Sequence, residues 1–159
     1  MALSTMGIDA DRIAAIGEDL FELEESFVSK PRKPGAWSRK EILGHLIDSA
    51  SVNHQRIVES QITGSIVFSG YRHEDWVRLQ GYRQTEWEDL VTLWVSYNIH
   101  LCEIVERIPL DVLDRQHAQH SYDRTAFREI PADQPSTLGY LIEDYFAHLL
   151  YHMEQITGK

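Results

Sequence analysis

His148 and His152 stand four residues apart in a stretch whose apolar residues recur with a helical period. On a helix, that spacing sets two side chains about 40° apart on one face. Two imidazoles so placed can hold one divalent metal ion. The pair alone is weak, because many helices carry histidines four apart by chance. His45 adds a third. In its own helical stretch it lies at the edge of the apolar arc, beside Ile42 and Ser49. Three protein ligands would leave coordination positions open for water or substrate, as catalytic metals require. The bland alternative is that His45 is a core histidine satisfied by a hydrogen bond.

Carboxylates border these positions. Asp48 follows His45 by one turn and could orient an imidazole or accept a proton, while Val52 and Arg56 continue that seam. Asp144 and Gln155 occupy the matching seam of the last segment. The other five histidines, His54, His73, His100, His117 and His120, fall off the apolar stripes or in connections and read as ordinary surface or loop residues. Cys102 sits on an apolar stripe, a poor place for a nucleophile.

Four helical segments must position these residues. The first is expected over Asp9 to Ser29, with Ile13, Ile16, Leu20, Leu23 and Phe27 as its stripe, ended by Pro31 and Pro34. The second spans Arg39 to Ile62, opened by Ser38 and Glu41 as a capping box and followed by Gly64. The third spans Glu86 to Ile108, with Thr85 and Glu88 as a second capping box and Pro109 at its close. The fourth spans Leu138 to Thr157, capped by Ser136 or Thr137. The one strand candidate is a short irregular piece between Gln116 and Ile130. The fold class is therefore all-α: a single four-helix-bundle domain over residues 1–159, with long connections after the second and third helices.

The connection from Thr63 to Gln84 carries Tyr71, Trp76 and Tyr82, aromatics that give it reason to pack. If the second and fourth helices run antiparallel, the three histidines fall at one end of the bundle. This connection then either folds back to roof the site in part or lays Tyr71, Trp76 and Tyr82 over a hydrophobic edge.

Composition narrows the partners. With 25 acidic against 15 basic residues the formal net charge is −10, which repels phosphate backbones and anionic lipids. Nucleic acid and membrane are not expected as partners. One cysteine allows no internal disulfide, no apolar run approaches a membrane span, and no signal peptide is visible, so the expected location is the cytoplasm.

The run Gly35-Ala36-Trp37-Ser38, then Glu41 to Ser49 reading Glu-Ile-Leu-Gly-His-Leu-Ile-Asp-Ser, with Asn53 and Arg56 beyond, resembles the DinB-like superfamily. It is most similar to the YfiT-like branch of metal-dependent hydrolases. Tyr71, Glu74 and Trp76 match that branch's loop stretch, and Tyr145 to His152 with Ile156 match its terminal His-x3-His helix. The likeness runs from roughly Phe27 to Ile156. It implies a four-helix bundle and one divalent transition metal, nickel or zinc, on His45, His148 and His152. It also implies a homodimer and a small-molecule substrate such as a low-molecular-weight thiol. Activities known in the wider superfamily include thiol transfer onto electrophiles and thiol-dependent isomerisation.

The reading is thus a metal-dependent thiol S-transferase or hydrolase, with Asp48, Asp144 and Arg56 as candidate catalytic residues. Its rival is a non-catalytic metal or small-molecule binding module using the same histidines. One departure bears on this choice. Some relatives carry a further histidine one turn before His148, where this chain has Asp144, which could be a fourth ligand, a partner of a ligand, or a seam carboxylate.

Overall fold

The computed structural model describes residues 8–159. Four long helices carry the fold: α1 (Ala10–Phe21), α3 (Arg39–Thr63), α5 (Trp87–Glu106) and α8 (Leu138–Thr157). Short helices fill the connections: α2 (Glu25–Val28), α4 (His73–Gln80), α6 (Leu110–Leu113) and α7 (Tyr122–Thr125), with a 3-10 turn at Tyr82–Gln84. The expected strand between Gln116 and Ile130 is not formed. Among the described residues the only β pairings are isolated bridges, including His117 with Ser136 and Ile66 with His120.

Local signals act where the sequence places them. The Ser38 hydroxyl accepts the Glu41 amide, and the Glu41 carboxylate accepts the Ser38 amide at 2.8 Å, a complete capping box. Gly64 closes α3 in the left-handed region at φ 70°. Thr137 caps α8 by accepting the Tyr140 amide at 3.0 Å. The second expected capping box does not form, because Glu86, not Thr85, is the N-cap of α5 and makes no side-chain cap bond.

The first expected helix is broken. The Trp87 indole donates to the Leu20 carbonyl at 2.7 Å, and the chain leaves the helix just beyond, at Glu22. After the break Val28, rather than Phe27, enters the core with no exposed surface. Phe27 stays outside, with the Arg39 guanidinium 3.8 Å above its ring.

Helix directions follow from which residues meet. α1 packs on α5, and α3 packs on both α5 and α8. Arg39, at the start of α3, donates to the Ile156 carbonyl near the end of α8, so these two run antiparallel. In contrast, Arg83 just before α5 pairs with Glu41 near the start of α3, while His54 further along α3 meets Tyr97 and His100 of α5. α3 and α5 therefore run parallel, and the connection between them must travel back along the bundle. It does so against α3: Ser69 lies at Arg56, Gln80 and Tyr82 at Asp48, and Arg83 at Glu41.

Gly44 makes room for that return. A Cβ there would sit 2.1 Å from the Tyr82 ring. The core between the long helices holds Leu43, Leu46, Ala50, Val91, Trp94, Leu101, Leu149 and Ile156, all at 1% exposure or less. Each fully buried large aliphatic side chain there contributes roughly 1.5–3 kcal/mol.

Candidate metal centre

His45 comes from the second turn of α3, and His148 and His152 come from the second half of α8. Because the two helices are antiparallel, the three rings meet at one end of the bundle. His45 Nε2 and His148 Nε2 are 3.2 Å apart, and the three residues offer ligand atoms all within 4.8 Å of one another. Two nitrogens sharing one ion at ~2.0–2.1 Å with tetrahedral angles would be ~3.4 Å apart. The donor set fits such an ion.

The hydrogen bonds support the same state. His152 Nδ1 lies 2.8 Å from Gln155 Oε1, and an amide oxygen only accepts, so Nδ1 carries the proton and Nε2 keeps its lone pair. Burial first, then the neighbouring imidazoles, pushes His45 and His148 down to about 3, and His152 is lowered by burial as well. All three are therefore neutral at pH 7, as metal ligation requires.

This has a consequence for the metal-free protein. Between pH 6.5 and 3 the unfolded chain binds protons at these histidines that the folded chain refuses. Stability therefore rises with pH through that window and is lost as the pH falls from about 6.5 towards 3. Thermal melts of chelator-treated protein should show a falling midpoint from pH 7 to pH 4, with a shallower fall in His148→Ala. Equal slopes for the two proteins would contradict the burial argument.

The imidazoles open onto a cavity of about 280 Å³ between α3 and α8. Trp37, in the turn before α3, packs on His45 with ring centroids 5.2 Å apart. Tyr71 and His73 line the cavity from the returning connection, and Phe127 borders it from the connection before α8, 5.4 Å from the His148 ring. The expected roof is thus built in part. Tyr71 belongs to it. Trp76 instead packs behind Tyr71 at 5.2 Å, and Tyr82 turns away to Asp48. His73, read from sequence as an ordinary loop residue, stands at the rim with its ring 5.6 Å from that of His45.

The candidate catalytic residues divide. Arg56 lines the cavity. Asp48 does not: its carboxylate accepts Tyr82 Oη at 2.6 Å and Gln80 Nε2 at 2.7 Å, and no hydrogen bond joins it to an imidazole. Burial raises its pKa. Asp144 reaches the cavity wall, but one oxygen accepts the Phe127 amide and the other the Arg128 amide, each at 2.7 Å. Its role here is to pin the loop that holds Phe127 over the site. Phe127 carried no sequence signal, since nothing local says where an exposed loop aromatic will land.

Among solved structures the chain is similar to YfiT from Bacillus subtilis, described as a probable metal-dependent hydrolase with an unusual four-helix bundle topology. The TM-score is 0.73 at 16% identity, covering 94% of this chain and 80% of that one. The chain has a YfiT-like fold. No family model matches the sequence, and neither does any curated protein. The YfiT-like bundle contains, among the described residues, no helix long and apolar enough to cross a membrane.

Proposed function

We propose that this protein is a metal-dependent enzyme acting on a small molecule, with one divalent transition metal, nickel or zinc, held by His45, His148 and His152. The observation that carries this reading is the convergence of three neutral imidazoles on a cavity wall, with the carboxylate that lines the same cavity, Asp144, engaged by two backbone amides. A set that stops at three ligands keeps positions open for a reactant, whereas a binding module would close its site. The description of YfiT as a metal-dependent hydrolase supports the same class.

When bound, the ion supplies Lewis acidity that makes a coordinated water or thiol more acidic. The chain's own residues do the rest. Gln155 fixes the His152 tautomer, and Trp37 and Phe127 flank the imidazoles and limit water. His73 stands at the rim, within reach of an incoming group. Hydrolysis and thiol S-transfer differ in their need for a proton acceptor. With Asp48 facing away and Asp144 engaged, thiol S-transfer asks less of the side chains, and we favour it.

X-ray absorption on protein loaded with Ni²⁺ or Zn²⁺ tests this reading. The expected result is three imidazole nitrogens plus a light-atom ligand that added 2-mercaptoethanol replaces with sulfur. A fourth protein ligand would sink the enzyme reading and leave the binding module, and no change on adding thiol would sink thiol S-transfer and leave hydrolysis.

A further inference from the structure

Arg56 is held as few arginines are. It is 8% exposed, lines the same cavity as the imidazoles, and among the described residues no carboxylate lies within ion-pair distance of it. Its one hydrogen bond runs from Nη2 to the Ser69 carbonyl at 2.7 Å, and the Phe68 ring lies 5.5 Å from its guanidinium carbon. The two nearby acids do not neutralise it: Asp48 accepts Tyr82 and Gln80 on Oδ1 and makes no ion pair with it, and Asp144 accepts the amides of Phe127 and Arg128.

A guanidinium stays charged in a protein, and burying a charge without a partner is strongly unfavourable. Five N–H donors are present and one is used. Since Nη2 contributes one hydrogen to each of the guanidinium's two forked edges, one complete edge remains. Nε and Nη1 make no hydrogen bond within the protein and neither is fully buried, and Arg56 lines the cavity. A planar two-oxygen acceptor matches that edge.

We infer that Arg56 is the binding site for a carboxylate on the substrate, on the wall of the cavity that the imidazoles share. His45, Ser49, Asn53 and Arg56 share one face of α3, and Arg56 lies three turns beyond His45, about 16 Å along the axis. The carboxylate is therefore several bonds from the reacting group. The substrate class is an elongated carboxylic acid with its reactive end at the histidines. In a chain of net charge −10, Arg56 gives this cavity a local charge of the opposite sign. The inference rests on the proposed function for what happens at the far end, but not for the carboxylate itself.

The test uses the full chain loaded with Co²⁺ and two probes of one length, 6-mercaptohexanoate and 6-mercaptohexanol, with binding read from the visible spectrum of Co²⁺. The carboxylate should bind at least about tenfold tighter than the alcohol. That preference should fall to parity in Arg56→Gln and by at least about threefold in Arg56→Lys, which keeps the charge without the fork and serves if the glutamine variant does not fold. Equal affinities in the native protein, or an undiminished preference in a folded variant, overturn the inference. Failure of the metal reading shows separately, as absence of a Co²⁺ spectrum. In that event hexanoate and hexanol are titrated into metal-free protein and followed by the thermal midpoint. Stabilisation by hexanoate alone, lost in the variants, upholds Arg56, and equal behaviour of the two compounds overturns it.

Discussion

His148→Ala, purified without chelator beside the native chain, is expected to carry less than about a tenth of the native metal, itself close to one divalent ion per chain. Losing even a residue that only orients a ligand typically costs 10- to 100-fold in metal affinity, and removing a ligand costs more. The two remaining imidazoles, His45 and His152, offer one nitrogen each. The fold should survive, because position 148 is half-buried on a helix and alanine is the best helix former. Elemental analysis decides the matter, with far-ultraviolet circular dichroism as the control for folding. Native metal content in a folded His148→Ala protein would end the three-histidine assignment.

The second large effect is on stability. Gly44→Ala places a methyl group 2.1 Å from the Tyr82 ring, well inside any tolerable contact. Two terms compete. Replacing a mid-helix glycine with alanine gains roughly 1 kcal/mol. Displacing Tyr82 unseats a buried ring and removes its 2.6 Å hydrogen bond to Asp48, leaving that carboxylate underpartnered where it is 2% exposed. Overpacking costs about 1–3 kcal/mol and a stranded buried acceptor a further 1–3 kcal/mol. The loss wins by about 2–4 kcal/mol, a fall of roughly 5–15 °C in Tm for a domain of this size. A second replacement, Tyr82→Ala, should make the glycine change nearly harmless, and a double-mutant cycle by thermal melts would show that coupling. Additive effects would mean that the returning segment does not depend on Gly44.

How much of this was legible in the sequence depended on how locally each feature is encoded. The four long helices were, and so were all their ends but the C-terminal end of the first, because period, caps and stop residues act within a few positions. The triad was as well, since two of its members are four apart on one helix and the third lies on the polar seam of another. The break after Phe21 was not, because the last-turn carbonyl of Leu20 finds a partner in the indole of Trp87, far along the chain. Asp144 looked like a ligand or seam carboxylate, and only the position of the Phe127 loop shows what its oxygens accept. His73 carried no pattern of its own, and its place beside His45 comes from the path of the returning connection. Arg56 was visible as a seam residue, but its lack of a counter-ion is a property of the packed bundle.

The antiparallel meeting of α3 and α8 also sets when the centre can exist. His45 and His148 are 103 residues apart in sequence, so no part of the chain made before α8 can assemble the site. Contacts of such long range close late in folding, after the cost of ordering the intervening chain has been met. On the ribosome, α1, α3 and α5 emerge with the histidine-bearing seam of α3 still uncovered, and α8 arrives last to complete both the core and the triad. The docking of α8 therefore makes the site a marker of completed packing: an ion held by these three imidazoles would be captured only once α8 lies against α3.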